Sequence, residues 1–259
     1  MKAIELHDIS FSYGKNKPIV LSGIDMGCDE GTVNTLIGLN GCGKTTLIKI
    51  LAGLGKPISG SVSYYSRDLN DISYNDRSKL FSYVQQNNNP LSDYKVREYI
   101  LFGTANRLDV FESPGKEEIE IAERQMERFG IDRFRDKKLG ELSGGERQIV
   151  SICSSMAQNT KVVILDEPCS ALDIVNQDKV LSILKSIAEE DGKTIILSTH
   201  NPNHALYLDS NVFLLKGGKI IDSGSAKDII VPDRLRTIYG DRICYSRDLP
   251  YNEISFYKQ

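Results

Sequence analysis

The chain has 259 residues, 40% of them hydrophobic, which is enough for one α/β domain or two closely packed subdomains and excludes a disordered protein. Its formal net charge is −3 and its Lys and Arg residues are spread along the sequence, so nothing indicates binding to nucleic acid or anionic lipid through a basic face. Because it has no run of about 18 apolar residues and begins with an alternating strand pattern instead of a signal peptide, we expect a soluble, cytoplasmic protein.

The first part of the chain contains a loop suited to hold the phosphates of a nucleotide. Residues 1 to about 35 alternate apolar and polar positions around a turn at residues 13–16, which predicts antiparallel strands. The apolar residues 33–37 predict a strand, and the next residues match G-x-x-x-x-G-K-[ST] before a helix predicted over residues 44–54. Glycines let backbone N–H groups turn inward on the anion, Lys44 reaches the outer phosphates and the hydroxyl of Thr45 can ligate Mg²⁺. The candidate nucleotide-binding residues of this loop are Gly38, Asn40, Gly41, Cys42, Gly43, Lys44, Thr45 and Thr46.

The middle of the chain changes from strand patterns to helix patterns. Strands are predicted at residues 60–65 and 80–84, and the pattern is helical from about residue 87 to residue 158. Ile119, Ala122, Met126 and Phe129 fall three or four residues apart, which predicts one apolar helix face in a charged segment. We therefore expect an inserted helical subdomain, which contains Leu-Ser-Gly-Gly-Glu at residues 142–146.

An acidic pair follows a buried strand in the second half. Residues 162–165 form an unbroken apolar run, typical of a strand buried on both faces, and Asp166 and Glu167 come directly after it. A helix at about residues 173–189 and a strand at residues 194–198 complete a right-handed parallel unit. Ligands of open parallel sheets collect at the carboxyl ends of the strands, where this acidic pair is expected to lie. Residues 226–259 are predicted to form a short helix and a terminal extension of unassigned function.

In their order and spacing, these motifs resemble those of the ATP-binding subunits of ATP-binding cassette (ABC) transporters. The resemblance covers about residues 3–225. It implies an α/β fold, a P-loop NTPase core with a mainly parallel sheet, an N-terminal antiparallel β subdomain and an inserted helical subdomain. Residues 1–259 would form a single ABC ATPase domain, with 1–86 and 159–225 as nucleotide-binding core, 87–158 as helical subdomain and 226–259 as C-terminal extension. The implied reaction is ATP hydrolysis, and the implied cofactors are ATP and Mg²⁺.

The resemblance also implies roles for individual residues. Asp166 would hold Mg²⁺ through its water shell, beside the hydroxyl of Thr45, and Glu167 resembles the general base that activates the attacking water. Tyr13 resembles the aromatic residue on which adenine stacks, and Phe11 is the alternative for this role.

Two further catalytic roles come from the same resemblance. Gln86 resembles the Q-loop glutamine, which touches both Mg²⁺ and the lytic water, and Gln85 is its competing candidate. His200 resembles the switch histidine, which bonds the γ-phosphate and orients the catalytic water. His204 and His7 receive no role.

The signature sequence implies a partner copy of the chain. Ser143, Gly144 and Gly145 resemble the signature that, in this family, covers the ATP held by another subunit. A head-to-tail dimer with two nucleotides follows, in which a two-fold operator makes both interfaces the same. Residues 170–173, Ser-Ala-Leu-Asp, resemble the D-loop along this junction. Because opening and closing can be passed to transmembrane permease subunits, we expect a peripheral location on the inner face of the cell membrane, a separate substrate-binding protein and no nucleic-acid partner.

The cysteines show no metal-ligand or redox spacing and are expected to be reduced thiols. They are Cys28, Cys42, Cys153, Cys169 and Cys244. Cys42 is either a small filler residue or a reactive thiolate, the second because a thiolate is favoured near a helix N-terminus. If Cys42 is a thiolate, maleimide should inactivate the protein and bound nucleotide should protect it. Cys42 stands where the family often has serine, Cys169 where it has threonine and Ile149 where arginine is frequent, and none of these departures removes a catalytic group.

The resemblance extends to a branch of the family. Residues 200–205 and 235–240 resemble the importers that handle iron chelates such as siderophores or haem, cobalamin, or molybdate. Cargo specificity belongs to the permease and binding-protein chains, so the cassette itself does not identify the cargo. The competing interpretation is a soluble cassette ATPase of an assembly system such as iron–sulfur cluster biogenesis. An inactive ATP-sensing module is disfavoured because Lys44, Gln86, Asp166, Glu167 and His200 are all present.

Overall fold

The computed structural model describes residues 1–86, 92–109, 112–170, 172–241, 243–246 and 253–256, the last two segments without their side chains. The strands are β1 (Lys2–Ser12), β2 (Ile19–Asp29), β3 (Val33–Ile37), β4 (Ser59–Tyr64), β5 (Arg67–Asp68), β6 (Phe81–Val84), β7 (Val162–Leu165), β8 (Thr194–Thr199), β9 (Asn211–Lys216), β10 (Lys219–Ser225), β11 (Ile243–Ser246) and β12 (Glu253–Phe256). The helices are α1 (Lys44–Leu51), α2 (Tyr74–Leu80), α3 (Val96–Phe102), α4 (Lys116–Phe129), α5 (Gly144–Ala157), α6 (Ile174–Asp191), α7 (Pro202–Tyr207), α8 (Ala226–Ile229) and α9 (Pro232–Tyr239).

The larger sheet carries the predicted phosphate loop and acidic pair. Its strand order is β10-β9-β3-β8-β7-β6, parallel from β9 to β6, with β10 antiparallel at one edge. Every residue of β3, β7 and β8 is buried, which is why these strands are predominantly apolar in sequence. Strands β3 and β7 have the predicted bounds, and the carboxyl ends of β3, β7 and β8 meet at one edge of the sheet.

A second, antiparallel sheet is built from the N-terminal segment. Its order is β2-β1-β4-β5, and β1 pairs with both β2 and β4. The prediction of N-terminal antiparallel strands is therefore confirmed. The strand predicted at residues 60–65 is β4, which begins at Ser59 and joins this sheet. One apolar cluster fills the space between the two sheets and α1.

The predicted helical subdomain contains α3, α4 and α5, joined by short 3₁₀ helices. Ala122, Met126 and Phe129 of the predicted apolar face are buried, whereas Ile119, which lines one groove with Ala122 and Met126, is 45% exposed. Ile119 lies in the first turn of α4, at a groove with charged side chains on its rim, and Ile121 takes the buried position. Buried side chains of this subdomain continue into a cluster with one face of the larger sheet.

Local signals place the ends of the longest helices. Ser143 caps α5 by accepting a hydrogen bond from the backbone N–H of Glu146, whose carboxylate accepts one from the Ser143 N–H. Asp173 caps α6 by accepting from the Asn176 N–H at 2.8 Å, and Gly192 ends it in the left-handed region with φ 64°.

The C-terminal segment packs on the larger sheet. Side chains of α8 and α9, among them Leu235 and Ile238, form a buried cluster with Ile37 of β3 and with β9. Strands β11 and β12 form an antiparallel hairpin. Among the described residues, no helix combines the length and apolar character needed to cross a bilayer.

Candidate active site

The phosphate loop joins β3 to α1 and depends on glycine at its tightest points. Gly41 and Gly43 have φ 79° and 110°, which side chains with a Cβ rarely adopt. A Cβ on Gly43 would also lie 2.8 Å from Leu21 Cδ2. No side chain caps α1, and its first turn has no acidic residue. The backbone donors and positive end of the helix therefore favour an anion at this loop.

Lys44 connects the phosphate loop to the acidic strand end. Its side chain is 5% exposed, and Nζ donates hydrogen bonds to the carbonyls of Gly38 at 2.8 Å and Leu39 at 3.3 Å. The same ammonium lies 3.4 Å from Glu167 Oε1. An ammonium and a carboxylate are thus held together at the floor of the loop with little exposure to solvent, where their interaction is weakly screened.

Glu167 lies between Lys44 and His200. Its second oxygen, Oε2, is 3.0 Å from His200 Nδ1, and the imidazole is more than half exposed. The Glu167 backbone has φ 47°, and its N–H donates to Ser198 Oγ at 2.9 Å. The carboxylate is therefore held at both oxygens beneath the phosphate loop, which suits a base that accepts a proton from a positioned water.

Asp166 offers one free carboxylate oxygen. Its side chain is 1% exposed, and Oδ1 accepts a hydrogen bond from Ser198 Oγ at 2.6 Å. Oδ2 is buried and has no hydrogen-bond partner among the described residues. Buried carboxylate oxygens are normally satisfied, so this atom fits a ligand such as the water shell of Mg²⁺. The donor set, one carboxylate and the Thr45 hydroxyl beside a phosphate site, is typical of that ion.

A cleft of about 640 Å³ opens above these groups. It is lined by Tyr13, Val20, Asn40, Gly41, Gly43, Lys44, Thr45, Thr46, Gln86, Glu167, Ser170 and His200. Most of the predicted loop residues and all three predicted catalytic residues therefore meet at one surface. Gly38 and Cys42 belong to the same loop without lining the cleft, and Asp166 lies beneath it.

Both aromatic and glutamine alternatives can be compared in this cleft. Tyr13 is 56% exposed, and its hydroxyl shares a 2.9 Å hydrogen bond with Thr46 Oγ1. Phe11 is buried and packs edge-on against the Tyr13 ring. Gln86 lines the cleft whereas Gln85 does not. The geometry thus favours Tyr13 and Gln86 over their alternatives.

Comparison with known proteins identifies the family. The family profile described as ABC transporter matches residues 21–170. The chain belongs to the ABC transporter family. It is an ATP-binding cassette that hydrolyses ATP to ADP and phosphate.

Relatives match the cassette over nearly its whole length. An uncharacterized ABC transporter ATP-binding protein of Haemophilus influenzae is 30% identical, over 92% of this chain and 90% of its own. The iron(3+)-hydroxamate import ATP-binding protein FhuC of Bacillus subtilis is 28% identical, over 92% of this chain and 88% of its own.

Solved structures show the same fold. An inward-facing ABC transporter matches with a TM-score of 0.85 at 24% identity, covering 99% of this chain and 98% of that chain. A dimeric cassette bound to ADP and phosphate matches with a TM-score of 0.78 at 26% identity, covering 86% and 98%. The predicted P-loop NTPase architecture of the cassette is confirmed.

The predicted signature residues do not line the cleft of their own chain. Ser143, Gly144 and Gly145 stand at the N-terminus of α5, and none of them lines the phosphate site. Hydrogen bonding from the Ser143 backbone lowers the pKa of Glu146, consistent with an ionised capping carboxylate. Of the residues predicted to form the D-loop, Ser170 lines the cleft, and Ala171 lies outside the described residues.

Of the two interpretations of Cys42, its surroundings favour the small filler residue over the reactive thiolate. Burial raises the pKa of the Cys42 thiol, outweighing the opposite effects of the Lys44 ammonium and of two backbone N–H groups. Position near a helix N-terminus therefore does not decide the ionisation of this thiol. The cysteines whose side chains the structure describes are all free, as predicted; the Cys244 side chain lies outside this set.

Ser198, to which the sequence assigns no role, contributes to the site. Ser198 at the end of β8 is fully buried, and its hydroxyl bonds both Asp166 and the Glu167 N–H. Its only sequence signal is a hydroxyl residue ending an apolar strand. His204, which received no role either, lies in α7: its Nδ1 shares a 3.0 Å hydrogen bond with Thr199 Oγ1, and burial lowers its pKa to about 4, so it is a neutral structural residue.

Proposed function

We propose that this cassette powers transmembrane import, with an iron chelate (a siderophore or haem), cobalamin or molybdate as cargo. The observation that carries the catalytic part is the position of Glu167, held between Lys44 and His200 at the floor of the phosphate cleft. The name of the Bacillus subtilis relative supports import of an iron chelate. Cargo choice itself resides in partner chains.

In the proposed reaction, the loop N–H groups and Lys44 hold the β- and γ-phosphates of ATP. Thr45, Asp166 and Gln86 would hold Mg²⁺, which when bound neutralises charge on the phosphates. Glu167 accepts a proton from a water whose oxygen attacks the γ-phosphorus, and the bond from that phosphorus to the bridging oxygen breaks. His200 orients this water and bonds the γ-phosphate.

The remaining binding determinants come from a second copy. Because Ser143, Gly144 and Gly145 lie outside the cleft of their own chain, we infer a head-to-tail dimer in which each signature covers the partner's ATP. The dimeric state of the ADP-bound cassette supports this inference. Tyr13 would stack on adenine in each site.

The proposed assembly joins this dimer to permease subunits and a separate substrate-binding protein. The cassette would then lie on the inner face of the membrane through its permease. Within the single ABC ATPase domain, residues 1–86 and 159–225 act as the nucleotide-binding core and 87–158 as the helical subdomain, with 226–259 as an extension.

Glu167→Gln tests the catalytic proposal, because it retains the shape of the side chain and removes its charge. Turnover should fall by about 100-fold or more. The variant should retain MgATP binding and form a stable dimer in MgATP, measured by light scattering. Glu189→Gln, at an exposed position on α6, serves as the matched control and should resemble wild type. A Glu167→Gln variant that hydrolyses ATP at the wild-type rate would contradict the role of Glu167 as the base. Copurification of the wild-type chain with an assembly scaffold instead of a permease would favour the soluble alternative.

A further inference from the structure

The C-terminal helix α9 reaches the loop that carries His200. Tyr239 is its last residue, and the Tyr239 hydroxyl donates a 3.0 Å hydrogen bond to the main-chain carbonyl of His200. These residues are 39 positions apart in the sequence. The carboxyl end of α9 is thus tied to the backbone of a residue whose side chain contacts Glu167.

Helix α9 is itself held firmly to the sheet. Leu235 and Ile238 are buried against Ile37, the last residue of the strand that leads into the phosphate loop. Lys216 Nζ also donates to the Thr237 carbonyl at 2.7 Å. The hydroxyl of Tyr239 is therefore presented from a packed element to the loop after β8.

The surroundings of Tyr239 belong to the active site. Burial raises the pKa of the Tyr239 hydroxyl, and the negative charge of Glu167 acts in the same direction. The hydroxyl stays protonated at neutral pH and remains a hydrogen-bond donor. The His200 side chain, by contrast, is 56% exposed, so the surrounding protein packs against only part of its ring.

We propose that Tyr239 is a positioning residue for ATP hydrolysis: by holding the His200 carbonyl, it sets the direction in which the imidazole reaches Glu167 and the cleft. This proposal rests on the role proposed above for His200. It gives the C-terminal extension a part in catalysis, because a displacement of α9 would move the His200 peptide. The segment would otherwise be only a packed end of the chain.

Tyr239→Phe removes the hydroxyl and retains the ring. The kcat for ATP should fall about 3- to 10-fold, as expected for one lost hydrogen bond that acts in the transition state, and KM should change less than about twofold. Tyr207→Phe is the matched control, since the Tyr207 hydroxyl contacts Ser182 away from the cleft, and its kcat should equal that of wild type.

A double-mutant cycle with His200→Ala separates positioning from general stability. If Tyr239 acts through His200, the added Tyr239→Phe change should leave the residual single-turnover rate of His200→Ala unaltered. An equal loss of rate in both backgrounds, or an unchanged kcat in Tyr239→Phe alone, would overturn the proposal. Failure of the underlying function would look different, because His200→Ala itself would then hydrolyse ATP at the wild-type rate.

Discussion

Ser198→Ala should weaken both the fold and the active site. The change removes a fully buried hydroxyl that donates to Asp166 at 2.6 Å and accepts from the Glu167 N–H at 2.9 Å. An unsatisfied buried group costs about 1–3 kcal/mol and a hydrogen bond to a charged group contributes about 1.5–3 kcal/mol, so we expect the free energy of unfolding to fall by about 2–4 kcal/mol. The substitution removes a single oxygen atom, which makes the cavity contribution small.

The catalytic effect of Ser198→Ala should exceed its effect on binding. Asp166 and Glu167 lose their shared anchor, and kcat should drop about 10- to 100-fold, equivalent to about 1.4–2.7 kcal/mol in the barrier. The Mg²⁺ concentration for half-maximal turnover should also rise, because the free oxygen of Asp166 is no longer oriented. Steady-state ATPase assays across a Mg²⁺ titration, with urea unfolding of the same samples, measure both effects.

Ser155→Ala is the control for this experiment. Ser155 Oγ donates to Ser82 Oγ at 2.8 Å in a buried pair that does not line the cleft. Ser155→Ala should lower the free energy of unfolding and leave the Mg²⁺ dependence of turnover unchanged. A Ser198→Ala variant that loses stability but keeps kcat within about twofold and the wild-type Mg²⁺ dependence would contradict the role given to Ser198.

Three other results are expected. Gly43→Ala should abolish nucleotide binding in a fluorescent-nucleotide titration, because the added Cβ combines left-handed backbone strain with a clash at Leu21. The control Gly192→Ala, where φ is 64° and the space around the residue is open, should lose stability but still bind the nucleotide. Maleimide should label Cys42 more slowly than a model thiol at pH 7 and faster as pH rises; rapid labelling at pH 7 would contradict the raised pKa. The pKa of His204 is about 4 in the folded state and about 6.5 in the unfolded state, so its stabilising contribution is present above pH 6.5 and lost as pH falls towards 4. Between pH 6.5 and pH 4, the free energy of unfolding measured in urea should therefore fall by about 2–3 kcal/mol less in His204→Gln than in wild type.

Local patterns were enough to predict the parts of the site that depend on neighbouring residues. Strand β7 is apolar throughout and β3 is mostly apolar because both faces of each strand are buried, and the groups that follow them emerge at one sheet edge. The helix predicted from about residue 173 likewise begins within one residue of that position, at Ile174. Resemblance of the motifs then supplied the family, and the geometry brought Gln86, Glu167 and His200 together.

Contacts between residues far apart in the sequence depend on how the strands and helices pair, which local patterns do not show. Leu165 pairs with Leu197 in the parallel register of β7 and β8, so the next residues, Asp166 and Ser198, lie side by side although 32 positions separate them. The burial that raises the pKa of Cys42 and the exposure of Ile119 likewise depend on neighbouring elements.

The phosphate loop and the buried strands can be read from the amino-acid sequence alone, because each depends on backbone conformation and periodicity over a few residues. The hydrogen bonds of Ser198 to the acidic pair and of Tyr239 to the His200 carbonyl, in contrast, exist only in the folded chain. Strand register and helix packing create those contacts, and neither is encoded in the local spacing of residue types.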